Sequence, residues 1–247
     1  MRTTRYPSGR SSFSEYFPPG VKWLLISNIG MFLLMTLGGA RFRGDFALLA
    51  LAPRLVVENF AFWQLATYLF LHGGIAHLLV NMLSLWMFGA MLEHDWGTRR
   101  FLKYYFVCGI GAGLCDVAVN AAIGNWSTRT LGASGAIYGL LLAFGVMYPN
   151  QTVLMNFLFP VRAKYLVMIY GAIALYSAMG ENNGISNVAH LGGMLFGFVY
   201  LKVRIRAGLR WLDDARGAYR VWKMQRAKRK FQVYMKKHGR NDDGWVN

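Results

Sequence analysis

The chain has 247 residues, of which 55% are hydrophobic and only 15% are charged. A soluble domain carries about 25% charged residues, so the composition excludes an ordinary soluble globular protein and favours a polytopic membrane protein. The formal net charge is +16, and the basic residues cluster at the ends of apolar segments and in the C-terminal tail. Membrane topology explains that distribution better than nucleic-acid binding does, so we expect no nucleic-acid partner.

Six apolar segments are long enough to cross a bilayer as helices, which requires about 17–25 residues. In chain order they cover residues 21–38, 72–92, 101–123, 132–148, 163–180 and 187–206. The connector between the first two, residues 39–71, is too apolar for an ordinary loop. We expect short helices in the membrane interface there, rather than a seventh span. The predicted fold is therefore all-α: six transmembrane helices with a long first loop that is partly embedded in the membrane.

The basic residues also orient this bundle. Of the 27 Lys and Arg, all but four fall on the side that holds both termini; the exceptions are Arg41, Arg43, Arg54 and Arg129. Cytoplasmic loops carry the excess of Lys and Arg in membrane proteins, so both termini are predicted to be cytoplasmic. The second, fourth and sixth segments then all enter the membrane from the outside.

Ser134 and His190 lie near the predicted outer ends of the fourth and sixth segments. Polar side chains are expensive inside a membrane and usually mark function there. Taken singly, each has a simpler explanation, because a membrane serine often bonds its own helix and a histidine often only packs. Together they form the pair that nucleophilic catalysis needs, a hydroxyl and an imidazole base. No acid stands out as a third member, so we predict a Ser–His dyad, with Tyr138 packed against the imidazole.

Glycines frame both of these residues. Gly135 and Gly139 are four residues apart, as are Gly193 and Gly197, so each pair clears one face of its helix. Small residues at that spacing let membrane helices approach backbone to backbone. We therefore expect the four glycines to bring the fourth and sixth spans together and the serine within reach of the histidine.

The beginning of the fourth helix is also a suitable place for an oxyanion. Ser134 follows Gly132 at the predicted start, where backbone N–H groups are free and the positive end of the helix dipole favours an anion. His77 and Asn81, at i and i+4, share one face of the second segment at a similar depth. We predict that these two side chains and the backbone N–H of Ser134 form an oxyanion hole.

Asp116 is a further ionisable residue inside a predicted span, the third. One interpretation is a proton or ion path. The interpretation we favour is structural, with the carboxyl group paired to a neighbouring hydroxyl or lying near the outer end of the span.

These motifs resemble those of the rhomboid family of intramembrane serine proteases. Gly132-Ala133-Ser134-Gly135 matches the family's GxSG nucleophile motif, and His190 with the glycines at 193 and 197 matches its AHxxGxxxG motif. The stretch from His77 to Asn81 matches HxxxN on the second span. The resemblance covers about residues 21–206.

Two further positions bear on the resemblance. Trp63 matches the tryptophan of the family's tryptophan–arginine loop motif, but Gln64 stands where arginine is usual. This difference concerns the hydrogen bonding of the loop and leaves the expected catalytic chemistry unchanged. Glu93 sits where the family often has a structural glutamate.

The resemblance implies a serine endopeptidase that cleaves transmembrane proteins near the outer membrane boundary through an acyl-enzyme, with no cofactor and no metal. Residues 1–20 are then a cytoplasmic segment, 21–206 the six-span protease core and 207–247 a basic cytoplasmic tail. We expect a multi-pass protein of a bacterial inner membrane. The alternative is a catalytically inactive rhomboid-like protein that binds membrane clients, and the presence of both Ser134 and His190 disfavours it.

The resemblance does not explain the tail, in which basic residues alternate with aromatic ones such as Trp211 and Trp222. Two interpretations stay open. One is a basic helix that contacts the anionic lipid of the inner leaflet, and the other is a simply solvated tail.

Overall fold

The computed structural model describes residues 16–39, 46–155, 158–180, 187–206 and 223–226. Most of the predicted N-terminal segment, residues 1–20, lies outside the described residues, and so does the predicted tail, residues 207–247, apart from a helical turn at 223–226. Residues 40–45 of the connector lie outside them as well.

The described elements are almost all helices. In chain order they are α1 (Pro19–Leu37), α2 (Pro53–Glu58), α3 (Gln64–Thr67), a 3-10 turn (Tyr68–Phe70), α4 (Ile75–Trp96), α5 (Thr98–Ala122), α6 (Ser134–Met147), β1 (Thr152–Met155), β2 (Phe159–Arg162), α7 (Ala163–Met179) and α8 (Asn187–Arg206). The long helices begin and end within four residues of the six predicted segments. The connector contains α2, α3 and the 3-10 turn.

Three of the described helices, α1, α4 and α5, are long and apolar enough to cross a membrane. Helices α6 and α7 are apolar but shorter. Large apolar side chains on the outer faces are exposed, for example Leu37 at 82% and Tyr176 at 83%, as expected for faces that contact lipid. The chain is therefore a helical membrane protein, and the count of six spans stays a prediction.

The all-α prediction is wrong in one segment, where β1 and β2 pair as a short antiparallel ladder. Thr152 pairs with Arg162 and Met155 with Phe159. Pro160, which pairs with Leu154, cannot continue a helix, and a two-stranded ladder tolerates its missing N–H because one edge of each strand is unpaired. The segment lies between α6 and α7, outside both apolar helices.

Helix α5 forms the centre of the described bundle. Half of its apolar window is buried inside the protein, against 22% for α1. The side chains of Tyr104 and Tyr105 are fully buried, and the Tyr104 hydroxyl donates to the Gly139 carbonyl of α6 at 2.8 Å. On the connector side, the Tyr68 hydroxyl donates to the Gly109 carbonyl of α5 at 2.7 Å. Hydroxyl-to-carbonyl bonds thus tie α5 to its neighbours on two sides.

Glu93 joins the end of α4 to the beginning of α1. Its buried carboxylate accepts the N–H groups of Gly20 and Val21, both at 2.7 Å, and the Thr98 hydroxyl at 2.6 Å. First-turn N–H groups have no acceptor within their own helix, and a carboxylate there also favours the helix dipole. The beginning of α1 and the end of α4 therefore lie at the same level of the bundle.

Candidate active site

Ser134 is the first residue of α6, and the backbone before it has a conformation that glycine favours. Gly132 has a φ of +119°, in the region that residues with a side chain rarely adopt. Its N–H donates to the Tyr68 carbonyl at 2.9 Å. A Cβ added at Gly132 would also lie 2.7 Å from Cε1 of His77. The turn that presents Ser134 thus requires glycine both for its φ and for its contact with His77.

The hydroxyl of Ser134 meets the imidazole of His190. Ser134 Oγ and His190 Nε2 are 2.7 Å apart, a hydrogen-bond distance. His190 is buried, and within the described residues its other ring nitrogen, Nδ1, has no hydrogen-bond partner. No described carboxylate therefore orients this imidazole in the way that an aspartate orients the histidine of a catalytic triad.

Tyr138 occupies the face of the histidine ring. The ring centroids of Tyr138 and His190 are 4.2 Å apart and their planes are inclined by only 4°, a stacked arrangement. The ring of Tyr170 in α7 lies edge-on to Tyr138, with centroids 6.2 Å apart. Stacking fixes the plane of the imidazole without placing a charged group in the apolar bundle.

Helices α6 and α8 cross at two of the predicted glycines. A Cβ added at Gly193 would lie 1.8 Å from the Gly135 carbonyl oxygen, so the two backbones are in direct contact. A Cβ at Gly139 would be 3.1 Å from the Gly193 carbonyl oxygen, but its nearest atom would be the Cys108 sulfur of α5, at 2.5 Å. These contacts put the beginning of α8 against the beginning of α6.

Gly197 was predicted to contact α6, and this prediction is wrong because its nearest neighbours belong to α5. The nearest atom to a Cβ added there is the Tyr104 hydroxyl oxygen of α5, at 2.5 Å, followed by the Cys108 sulfur at 3.3 Å. The physical reason is the crossing of α6 and α8. Helices that cross diverge on either side of the contact, and here side chains of α5 fill the space next to Gly197.

The predicted oxyanion side chains lie beside the Ser134 turn. His77 is half-buried with its ring against Gly132. Asn81 is buried, and its Nδ2 donates to the His77 carbonyl of its own helix at 2.8 Å. That bond uses one of the two amide hydrogens, so the other is left for a further acceptor. The N–H groups of the first turn of α6 have no acceptor within their helix.

His72 is a neighbour of the site that the sequence analysis did not single out. Its side chain is buried, and its ring meets the ring of His77 edge-on at a centroid distance of 5.0 Å. It lies in the turn that precedes α4 and packs against His77 there. A second histidine five residues before His77 in an apolar stretch was the signal that could have identified it.

Gln64 stands where the rhomboid family usually has arginine. Both ends of its side-chain amide are hydrogen-bonded. Its Nε2 donates to the Leu48 carbonyl and its Oε1 accepts the Ala52 N–H, both at 3.0 Å. Trp63 Nε1 donates to the same Leu48 carbonyl at 3.1 Å. The connector therefore has ordered hydrogen bonding with glutamine in this position.

Asp116 lies fully buried in α5 and has an amide partner. Its Oδ1 accepts from Asn120 Nδ2 at 3.0 Å, and the Asn120 oxygen accepts from Asn125 Nδ2 at 3.2 Å. This chain of amides leads to the loop after α5 and not to Ser134. The contacts favour a structural role for Asp116, with an amide as the partner and not the predicted hydroxyl.

A cavity of about 960 Å³ opens beside the serine and histidine. It follows α4 from His77 to Phe88, about 16 Å along the helix axis, and the hairpin residues Val153–Met155 line its far end. Its walls are mostly apolar, and its polar groups include His77, Asn81, Ser84, Ser134 and His190. Among the described residues, no three His, Cys, Asp or Glu side chains group together as metal ligands would.

Known proteins are similar to this chain over more than half of its length. The family model described as Rhomboid domain matches residues 59–207. RHOMBOID-like protein 1 of Arabidopsis thaliana is 32% identical over 232 residues, which cover 78% of this chain and 57% of that protein. Rhomboid protease GluP of Bacillus subtilis (strain 168) is 28% identical over 193 residues, which cover 78% of this chain and 35% of that protein. The chain thus spans between about a third and three fifths of the length of these curated relatives.

Proposed function

Because the chain belongs to the rhomboid family, we propose that it is an intramembrane serine endopeptidase that cleaves transmembrane protein substrates near the outer membrane boundary. The observation that carries this proposal is the 2.7 Å distance between Ser134 Oγ and His190 Nε2, both of which line a mostly apolar cavity. A serine paired with an imidazole base at hydrogen-bond distance is the arrangement that acyl transfer requires.

In the proposed reaction, His190 Nε2 takes the hydroxyl proton while Ser134 Oγ attacks the scissile carbonyl carbon. The carbonyl oxygen becomes an oxyanion, and His190 then gives its proton to the leaving amine as the C–N bond breaks. Water attacks the resulting acyl-enzyme, again with His190 as base, and releases the new carboxylate. The imidazole must begin neutral with its proton on Nδ1.

The oxyanion would be bound by the backbone N–H of Ser134 together with the side chains of His77 and Asn81. His77 is already in contact with the Gly132 turn. Asn81 is one helical turn further along α4 and keeps one amide hydrogen beyond its bond to the His77 carbonyl. Donors held in place before charge develops, in a site of low dielectric, stabilise an oxyanion more than solvent-exposed donors do.

We expect His77→Ala to reduce turnover at least as much as Asn81→Ala does. Losing one oxyanion donor costs about 2.7–4 kcal/mol, roughly 10²–10³ in turnover. Asn81→Ala should fall at or below the low end of this range, because His77 and the Ser134 N–H still donate. The loss should appear in kcat, since the oxyanion exists only near the transition state. Steady-state kinetics check this, with the exposed His94→Ala at the other end of α4 as control. A rise in KM with kcat unchanged would mean that these residues bind substrate instead.

For the membrane arrangement we propose six spans with both ends of the chain in the cytoplasm of a bacterial cell. The shared level of the beginning of α1 and the end of α4 supports the first part of this arrangement, because it puts these two helix ends on one side of the membrane. Substrates and the lipid bilayer are the proposed partners, with anionic lipid as a proposed contact of the basic tail.

We expect this topology to be visible in cysteine labelling. In a background without Cys108 and Cys115, a cysteine at Arg100 should react with a membrane-impermeant maleimide only from the cytoplasmic side. A cysteine at Asn125, in the loop between α5 and α6, should react only from the outside. Permeabilised cells are the control for reactivity. Cytoplasmic labelling at Asn125 would contradict the proposed orientation.

Direct cleavage tests the proposed activity. The full chain, reconstituted in liposomes with a single-span substrate peptide, should produce two fragments whose new ends map by mass spectrometry to the outer part of the span. If the substrate instead co-purifies with the protein and no fragments form, the inactive client-binding alternative is supported.

A further inference from the structure

The amide of Gln64 is fully buried and bonded at both ends to the backbone of the connector. Gln64 is the first residue of α3, and no part of its side chain is exposed. Through its two bonds, to Leu48 and to Ala52, it closes the connector on itself.

The two bonds differ in how well a neighbour can replace them. The Leu48 carbonyl also accepts from Trp63 Nε1, so it keeps a donor if the Gln64 amide is lost. Ala52 is buried, and its N–H donates to Gln64 Oε1. A buried backbone N–H without an acceptor carries a full desolvation penalty. Loss of the Gln64 Oε1 acceptor is therefore expected to cost more free energy than loss of the Nε2 donor.

Ala52 is next in the chain to Leu51, which pairs with the backbone that leads into the Ser134 turn. The preceding residue, Leu51, forms an isolated antiparallel bridge with Thr130. The Leu51 N–H donates to the Thr130 carbonyl at 3.0 Å, and the Thr130 N–H donates back at 2.8 Å. Both residues are buried, and Thr130 lies two residues before Gly132. The connector backbone is thus hydrogen-bonded to the segment that leads into the Ser134 turn.

We propose that Gln64 is a positioning residue that, through Ala52 and the Leu51–Thr130 bridge, sets the position of the turn carrying Ser134. This inference rests on the proposed protease function. It also defines a requirement of this chain, namely a hydrogen-bond acceptor at position 64. Arginine has five donors and no acceptor, so the residue that is usual at this place in the family cannot bond the Ala52 N–H here.

Three single variants separate the two halves of the amide. Gln64→Arg keeps donors for Leu48 and removes the acceptor for Ala52. Gln64→Glu keeps the acceptor, and burial favours the neutral acid, whose O–H still donates to Leu48. Trp63→Phe is the matched control, because it removes a bond to the same Leu48 carbonyl while Gln64 stays in place. If Gln64→Arg yields no folded protein, Gln64→Met, of similar length and without a strong acceptor, takes its place.

The kinetic readout is kcat and KM per active site, with sites counted by titration with a serine-directed phosphonate. We expect Gln64→Arg to lower kcat by about tenfold or more with KM little changed, because displacing a catalytic group by about 1 Å costs up to about 10²-fold. Gln64→Glu and Trp63→Phe should stay within about threefold of the parent, well below the loss expected for a displaced catalytic group. A residue that served only folding would lower the number of sites and leave kcat per site unchanged.

Hydrogen exchange of the Leu51 and Thr130 amides provides a readout that needs no proteolysis. Gln64→Arg should speed exchange at both amides by about tenfold, since their protection depends on the local stability of the bridge. Gln64→Glu should leave exchange unchanged.

Full kcat per site in Gln64→Arg, or equal losses in the Arg and Glu variants, would overturn the inference. Unchanged exchange at Leu51 and Thr130 in Gln64→Arg would overturn it as well. If the parent cleaves no substrate, the proposed protease function fails by itself, and the exchange rates still decide whether Gln64 holds the turn.

Discussion

Ser134→Ala is expected to abolish cleavage of a transmembrane substrate while leaving the fold intact. Removing Oγ deletes the only atom that forms the acyl bond, and loss of the nucleophile in a serine protease lowers kcat by about 10⁶-fold. The packing should change little, because the hydroxyl is half-buried at the beginning of α6 and its hydrogen bond is to His190. Fragment formation in liposomes and the melting temperature in detergent measure the two effects.

A matched control distinguishes the nucleophile from other hydroxyl groups in the cavity. Ser84 lines the same cavity on α4. Ser84→Ala should cleave at close to the parent rate, and a serine-directed phosphonate should label the parent at Ser134 and leave Ser134→Ala unlabelled. Efficient cleavage by purified Ser134→Ala would refute the mechanism outright.

Gly193→Val is expected to remove both activity and stability. Even the first side-chain carbon would lie 1.8 Å from the Gly135 carbonyl oxygen and 2.7 Å from its carbonyl carbon. Overpacking a core costs about 1–3 kcal/mol when side chains can yield, and we expect a loss at or above the upper end because the obstacle is helix backbone. The separation of α6 from α8 should also part Ser134 from His190. Thermal unfolding and phosphonate labelling check the two consequences.

Gly30 in α1 supplies the control for helix propensity. A Cβ added there has nothing within 4 Å, so Gly30→Ala should be neutral or stabilise the protein by up to about 1 kcal/mol. Activity and melting temperature equal to the parent in Gly193→Val would show that the close crossing of α6 and α8 is not needed.

The arrangement around His190 is suited to an apolar bundle. A charged carboxylate inside a membrane protein is costly unless it is paired. Here the imidazole is held instead by the Tyr138 ring on its face and by the Ser134 hydroxyl at Nε2. In the proposed protease, this stacking would take the orienting role that an aspartate has in a catalytic triad.

The sequence by itself predicted the bounds of the helices well. Helix length follows from the run of apolar residues needed to cross the hydrocarbon, which is local information, and the observed bounds lie close to the predicted ones. Ser134 and His190 could be singled out because polar residues are rare in such runs. Whether they act as proposed is a matter for the variants above.

Only the tertiary structure decided which groups meet. In the structure, Gly197 faces side chains of α5, and His72 lies edge-on to His77. The Glu93 carboxylate accepts from N–H groups more than 70 residues away. The structure also revealed that Gln64 has two backbone partners where an arginine would have served only one. The physical reason is that periodicity and composition report a residue's own helix and depth. Contacts between distant segments depend on how the helices cross and on which backbone groups the packing leaves without partners.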